Sequence, residues 1–392
     1  MTHAEVVRVS LGTIMKEWGR IGSTGFGGPP THIALLRKLC VDQREWIAAR
    51  DFEDGIAATN LLPGPASTQL AIFCAWRLRG WVGAVVGGVF FIAPGLILIL
   101  ALSTLFLASN PPLWVLGAAA GAGAAVPAVA IHAAIGLMPA SRKRMRDTRR
   151  TRIRWVVYLA VGIAAGALAG TSLVLVLIAS GLIEIVLTRD WHSGAGNKAA
   201  SVVLLPILPP VGAVAGLGAL VWVALKVGLL SYGGGFVIIP LMQHDAVSTY
   251  HWMTGAQFLN AVALGQITPG PVVQTVAVVG YAAAGLGGGL LAALIAFVPS
   301  FLFIIFGGRY FDRLRANPTI QAFLTGAGAT VIGAIAGSAI PLGLALTQFW
   351  QAGILAAALL WLLASRRGVV LALIGAGIIG VIAVLIGAPV SH

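Results

Sequence analysis

Charge is the scarcest ingredient of this chain: 9% of its residues are Asp, Glu, Lys or Arg, against 58% apolar. A soluble protein of 392 residues needs far more charge to cover its surface, so that class is excluded. Cysteine is nearly absent as well. Cys40 and Cys74 supply neither a disulfide framework nor a metal cluster. No His-Glu-x-x-His, Cys-x-x-Cys or Gly-x-Ser-x-Gly occurs, which leaves an enzyme without its constellation. No catalytic residue, metal ligand or cofactor is therefore expected. The first 20 residues carry Arg8, Lys16 and Arg20 without a clean apolar core, so no cleavable signal peptide is read there. Acidic residues are thinnest after residue 200, where only Asp245 and Asp312 occur.

What the chain does have is long apolar runs, near 81–108, 112–138, 286–306 and 319–346. Each is long enough to cross the ~30 Å hydrocarbon core of a bilayer. The stretches 155–187 and 351–389 read as pairs of shorter helices, divided near Gly170-Thr171-Ser172 and at Ser365-Arg366-Arg367-Gly368. The expected fold class is all-α, a polytopic, multi-pass membrane protein whose constant partner is the lipid bilayer. The net charge of +13 does not point to nucleic acid. Eight basic residues crowd between Arg142 and Arg154, in a loop between apolar spans and without interleaved aromatics. That is the positive-inside pattern of a cytoplasmic loop, with anionic headgroups as natural neighbours.

Glycine and proline break the apolar runs, and the breaks come twice. Arg20-Ile21-Gly22-Ser23-Thr24-Gly25-Phe26-Gly27-Gly28-Pro29 returns 206 residues later as Lys226-Val227-Gly228-Leu229-Leu230-Ser231-Tyr232-Gly233-Gly234-Gly235. At the same offset Asn60-Leu61-Leu62-Pro63-Gly64-Pro65 returns as Gln266-Ile267-Thr268-Pro269-Gly270-Pro271, with Trp46/Trp252 and Phe52/Phe258 also in register. Two repeats are read, 1–199 and 200–392. Lys and Arg number 19 in residues 1–200 and 6 afterwards, and they occupy non-equivalent loops. In the first half they cluster at Arg37–Arg50, Arg77/Arg79 and Arg142–Arg154; in the second at Arg309/Arg313/Arg315 and Arg366/Arg367. Basic loops mark the cytoplasmic side, so the halves are expected to cross in opposite directions, as an inverted-topology repeat. Both ends of 51–76 are flanked by basic clusters, so Pro63-Gly64-Pro65 is read as the tip of a re-entrant hairpin. That leaves about five crossings per half, an odd number that inverts the next half. Helix 1, near 5–23, sets Val7, Leu11, Ile14, Trp18 and Ile21 against Arg8, Lys16 and Glu17. Whether it crosses or lies in the interface stays open.

Broken backbone is tolerated in a bilayer only where protein or a cavity satisfies it, and paired breaks in two halves mark a substrate site between them. The glycine breaks are expected to interrupt the first helix of each half near mid-membrane. The candidate binding residues are Gly25, Phe26, Gly27, Gly28, Asn60, Pro63, Gly64, Pro65, Ser67 and Thr68 in the first half. Ser231, Tyr232, Gly233, Gly234, Gly235, Gln266, Thr268, Pro269, Gly270 and Pro271 complete the set in the second. Four helix ends at these breaks expose N–H groups that attract anions. Hydroxyls and amides hydrogen-bond an oxyanion while leaving the site nearly neutral. Lys226, inside a strongly apolar stretch, joins the set as an attraction for the anion, with snorkelling to an interface as the alternative. Asp54 and His32 are the candidates for proton coupling. Asp51, Glu53 and Asp54 open the first hairpin, with Arg50 and Arg44 as their apparent partners. His132 and Glu184 stand in apolar spans without visible partners and are given no role. The residues by themselves reach a secondary transporter for a small anion, with an anion channel as its rival.

Taken together, Phe26-Gly27-Gly28-Pro29, Leu62-Pro63-Gly64-Pro65, Tyr232-Gly233-Gly234-Gly235 and Thr268-Pro269-Gly270-Pro271 resemble the chromate ion transporter family in its long form. In that form one polypeptide carries two homologous domains, and here the resemblance covers nearly the whole chain. It implies export of the chromate oxyanion across a bacterial inner membrane, coupled to the proton gradient as an antiporter and conferring chromate resistance. Sulfate, a tetrahedral dianion of similar shape, would compete. Pairing of two copies as a homodimer stays open. The first half has Gly-Gly-Pro-Pro where the second has Gly-Gly-Gly, so the two sites need not be equivalent.

Overall fold

The computed structural model describes residues 9–60, 62–108, 110–143, 148–168, 173–188, 216–231, 236, 238–307, 317–364 and 368–390. Every regular element in them is helical. Five helices are long and apolar enough to cross a membrane: Ala66–Phe106, Leu113–Arg142, Arg149–Leu168, Val272–Gly307 and Pro318–Leu344. Four shorter apolar helices accompany them. The chain is an all-helical, polytopic membrane protein.

Helix α1 (Leu11–Thr24) starts where the Ser10 hydroxyl accepts from Thr13 N–H, and it stops at Gly25. Gly27 and Gly28 take φ of 97° and 75°, backbone that glycine alone adopts freely. Pro29 and Pro30 then open α2 (Pro29–Arg37), which runs on as a π-helical turn, Lys38–Gln43. The chain reverses here. Arg44, beyond α2, reaches back to within 3.8 Å of Glu17 in α1, whereas helices laid end to end would hold the two about 40 Å apart. Helix 1 is thus not a crossing helix interrupted by glycine, nor a lone interfacial helix, but the first arm of a hairpin. Its buried face also differs from expectation: Glu17 lies inside with Ile14, Trp18 and Ile21, because Arg20 and Arg44 neutralise it. Trp18 Nε1 donates to Ala71 O at 2.8 Å, tying α1 to the next hairpin.

That next hairpin is α3 (Ala49–Thr59) and the start of α4 (Ala66–Phe106), joined by the Pro63-Gly64-Pro65 tip. Helix α4 is itself two antiparallel arms, 66–78 and 81–106, folded at Arg79 and at Gly80 (φ 61°, ψ −151°). The arms touch so closely that a β-carbon on Gly83 would collide with Ala75 O, and one on Gly88 would stand 2.9 Å from Ile72. Helix α3 and the arm 66–78 each rise only about 16–20 Å, roughly half a bilayer. The arm 81–106, α5 (Leu113–Lys143), α6 (Arg149–Leu168) and α7 (Leu173–Thr188) follow. Residues 189–215, which join this half to the next, lie outside the described residues.

The second half repeats these elements. Helix α8 (Leu217–Leu230), α9 (Ile238–Gln243) and a π-helical turn (His244–Thr249) form its first hairpin. Helix α10 (Gly255–Ile267), a 3-10 turn (Val272–Gln274) and α11 (Thr275–Gly307) follow, with α11 folded back at Ala284–Gly285. Then come α12 (Pro318–Leu344), α13 (Phe349–Ala364) and α14 (Val369–Leu385). The 206-residue offset relates both ends of α1 to those of α8 and one π turn to the other. It also pairs two residues forced into left-handed backbone, Glu45 (φ 50°) and His251 (φ 53°). Beyond the Pro-Gly-Pro tips the offset falls by one, to give Gly80/Gly285 and Pro94/Pro299.

The halves interlock. Arms 81–106 and 286–307 lie antiparallel, since Gly88 abuts Phe301 while Leu100 abuts Gly289. Helix α12 packs on α6 and α7, and α5 packs on α13 and α14. Small residues allow these close approaches, as bilayer packing requires. Gly162 and Gly166 sit against the backbone of α12, while Gly333 and Gly337 sit against that of α6.

Candidate functional site

The first hairpin tip of one half meets the second tip of the other. Gly270 N–H donates to Gly25 O at 3.2 Å. Gly25 O also accepts from His32 Nε2 at 2.8 Å. A carbonyl can only accept, so Nε2 carries the proton and the neutral ring accepts from the Ser67 hydroxyl through Nδ1, at 3.3 Å. His32 is fully buried, edge-on to Phe91 with ring centroids 5.0 Å apart. It fastens α2 to the start of α4 and, through Gly25 O, to the tip 269–271.

The long arms close the sides. Each carries a proline (Pro94, Pro299) followed by a small residue that faces the other half or the tip. Gly95 lies against Pro269 O and the Gln274 amide, so closely that a β-carbon would clash with both. Its counterpart Ser300 lies beside Gly64, its Oγ 3.1 Å from where a β-carbon would stand. Gln69 Nε2 donates to Pro63 O at 2.6 Å, and the equivalent Gln274 donates to Ile92 O at 2.8 Å.

Six buried side-chain nitrogen or oxygen atoms among the described residues lack a hydrogen-bond partner. Five belong to this region: Thr68 Oγ1, Gln69 Oε1, Gln266 Nε2, Gln274 Oε1 and Ser300 Oγ. Orphaned polar groups in a dry interior each cost on the order of 1–3 kcal/mol, so their concentration on the segments flanking the two tips makes this the candidate site. Thr68 and Ser300 offer hydroxyl protons and Gln266 an amide proton, all suited to an oxyanion. No side chain caps α4 at Pro65 or the 3-10 turn at Pro271, leaving first-turn N–H groups there without a side-chain cap. Helix α2 contributes less than expected, because Pro29 and Pro30 occupy its first positions and carry no N–H.

Other expected residues fall elsewhere or make local bonds. Asn60 is the half-buried C-cap of α3, and Phe26 is 42% exposed. Thr268 and Ser231 donate to Leu264 O (2.7 Å) and Gly228 O (3.4 Å) of their own helices. Tyr232, Gly233, Gly234 and Gly235 lie outside the described residues, as do the arginines at 309, 313, 315, 366 and 367. Asp54 is exposed on α3. Asp51 pairs with Arg77 at 2.5 Å and Glu53 with Arg37 at 3.4 Å, not with Arg50 and Arg44, because the α4 arm and α2 return alongside α3. Glu184 does have partners: Arg154 at 3.3 Å and the Tyr158 hydroxyl at 3.0 Å, both from the neighbouring α6. Lys226 is not a lone cation either, for its ammonium lies 2.5 Å from Asp245. Ser300 escaped the sequence reading; the pairing of Pro94-Gly95 with Pro299-Ser300 was the signal that could have found it.

A family model described as Chromate transporter matches residues 12–185 and 218–381. The chain belongs to the chromate transporter family. The two matched segments start 206 residues apart, the offset of the internal repeat. A chromate transport protein of Cupriavidus metallidurans is 32% identical over 82% of this chain and 80% of its own length. One from Pseudomonas aeruginosa is 30% identical over 87% and 83%. A probable chromate transport protein of Synechococcus elongatus is 29% identical over 85% of each. No solved structure matches.

Proposed function

We propose that this transporter exports chromate across a bacterial inner membrane by alternating access, with the dianion held where the hairpin tips of the two halves meet. The observation that carries the reading is the concentration of five orphaned buried polar atoms at those tips. Hydroxyl and amide protons from Thr68, Ser300 and Gln266, with the N–H groups after Pro65 and Pro271, surround the oxyanion without neutralising it. Such a site holds its guest loosely enough to release it. Gly25, Gly27, Gly28, Gly64 and Gly270 let backbone approach. Sulfate competes for the same donors.

Residues 1–199 and 200–392 act as two repeats inserted in opposite directions. The antiparallel packing of the equivalent arms 81–106 and 286–307 supports this, as does the placement of basic loops. Hairpins rocking against the interlocked α5, α6, α12 and α14 would open the tips to each side in turn. An inside-negative potential favours outward movement of a dianion, by about 2.3 kcal/mol per charge per 100 mV, and export is coupled to the proton gradient.

The test is uptake of labelled chromate into inverted membrane vesicles, with and without a pH gradient and with sulfate as competitor. Saturable uptake that sulfate inhibits and a pH gradient alters is expected. Uptake no greater than in vesicles lacking the protein overturns the reading, and non-saturating flux at channel rates selects an anion channel instead.

A further inference from the structure

A bare anion accounts for three of the five orphaned atoms at the tips and leaves two unexplained. Thr68, Ser300 and Gln266 have protons to give, but Gln69 Oε1 and Gln274 Oε1 can only accept. Neither amide can be turned over to hide its oxygen. Pro63 O and Ile92 O accept from the two amide nitrogens, and a carbonyl cannot donate, so each Oε1 faces the other way. A wholly deprotonated oxyanion has no proton for them and would set its negative oxygens against theirs.

The two tips differ in what stands beside that oxygen. At the first, the Gln69 amide and Ser300 flank the same glycine. A β-carbon on Gly64 would lie 2.5 Å from Gln69 Nε2 and 3.1 Å from Ser300 Oγ. Both side chains are fully buried, so an orphaned acceptor and an orphaned donor are neighbours in a dry interior. At the second tip the counterpart of Ser300 is Gly95, which supplies no hydroxyl. Gln274 Oε1 would be 2.6 Å from a β-carbon there.

We propose that the site prefers its tetrahedral oxyanion in the singly protonated form, hydrogen chromate. Its hydroxyl donates to Gln69 Oε1 while one of its unprotonated oxygens accepts from Ser300 Oγ. The inference rests on the proposed oxyanion site and says which form of the anion fits it best. Chromate and hydrogen chromate interconvert near neutral pH, whereas sulfate holds a proton only in strong acid. Sulfate therefore competes for the donors alone, and Gln69 is the residue that tells the two anions apart. A site built to bond a hydroxyl discriminates strongly against an analogue that lacks it. The proton arrives on the anion and leaves with it, and no group of the protein changes its protonation. The guest keeps one negative charge, so the membrane potential still drives it outward.

The charged groups around Gln69 and Ser300 have other partners or sit at other levels of the fold. Helix α2, packed against α4, brings His32, whose ring already bonds Gly25 O and Ser67, and Arg37, which pairs with Glu53. Helix α1 brings Lys16, Glu17 and Arg20, and α3 brings Arg50, Asp51, Glu53 and Asp54. Helix α5 adds His132, Arg142 and Lys143, while α4 itself carries Cys74, Arg77 and Arg79. Tyr281 lies on α11 with Ser300, and Lys226 on α8 beside it; α10 and the 3-10 turn bring none. Among these groups the histidines are the ones whose ordinary range meets neutral pH.

The experiment measures binding of labelled chromate to the purified full-length protein in detergent, with unlabelled sulfate as competitor. The pH is varied across the loss of chromate's last proton. For the unchanged protein, the affinity for total chromate should weaken about tenfold per pH unit on the alkaline side, as the protonated fraction falls. Sulfate should displace it weakly, with an inhibition constant that stays level over the same range. Gln69→Met should flatten the chromate slope and remove most of the preference over sulfate. Gln274→Met, which loses an equivalent bond to a carbonyl, should keep the slope. A chromate affinity independent of pH overturns the inference. So does a sulfate affinity that falls in parallel, since a protein group such as His32 is then what titrates. A slope unchanged in Gln69→Met overturns it too, because a water then satisfies that oxygen. All three leave the transport reading standing. If a variant fails to insert, the comparison of chromate with sulfate on the unchanged protein decides. If the unchanged protein binds neither anion, the transport reading falls and takes the inference with it.

Discussion

At the scale of single residues, the proposed site draws on side-chain atoms that lack a hydrogen-bond partner, Thr68 Oγ1 and Ser300 Oγ among them. Ser300→Ala and Thr68→Val each remove one donor with almost no change in volume. A hydrogen bond to a charged partner is worth about 1.5–3 kcal/mol, so each should raise the half-saturating chromate concentration by roughly 10- to 100-fold. Initial rates of uptake into inverted vesicles, at matched protein levels, measure this. Glu184 provides the contrast. It is buried between Arg154 and Tyr158 on α6, far along the chain from either tip. Glu184→Ala should strand Arg154 and cost about 3 kcal/mol, seen as earlier thermal unfolding in detergent, while chromate affinity of the folded fraction is unchanged. The sequence offered no partner for Glu184, because 30 residues and a chain reversal separate it from Arg154.

At the scale of elements, chain reversals do the organising, and glycine in left-handed backbone stands at three of them in the first half: Gly27 and Gly28, Gly64, and Gly80. Gly80 folds α4 with φ of 61° and nothing within 4 Å of where a β-carbon would stand. Gly27 turns the first hairpin with φ of 97° and has Thr31 Oγ1 at 3.1 Å. Alanine at either position takes the same left-handed penalty, about 1–2 kcal/mol. Only Gly27→Ala also crowds the tip that meets the other half. Both variants should therefore lose similar thermal stability, while Gly27→Ala loses chromate uptake and Gly80→Ala keeps it. Equal uptake by the two would remove the tip from the site. The Pro-Gly-Pro hairpin was legible in the sequence because two basic clusters had to share a side. The reversal at 25–28 was not, since Gly-Gly-Pro-Pro reads equally well as a broken crossing helix, and only the Arg44–Glu17 contact decides between them.

At the scale of the whole molecule, the proposed alternating access requires the two halves to be inserted in opposite directions. Single cysteines in place of Glu45 and His251, both exposed and conformationally equivalent, should label from opposite faces of the membrane with an impermeant maleimide. Labelling of both from one face would end the inverted-repeat reading. The duplication, the membrane class and the approximate limits of the long arms were all set by the sequence, because each depends on local composition: apolar length, basic loops and paired Gly and Pro. The outcome of each chain reversal, the partners of Lys226, Asp51, Glu53 and Glu184, and the approach of Ser300 to Gly64 and of Gly95 to Pro269 were decided only in three dimensions. They depend on which surfaces of distant helices come to lie face to face, and a one-dimensional pattern of apolar and polar residues specifies that a face is buried without specifying against what.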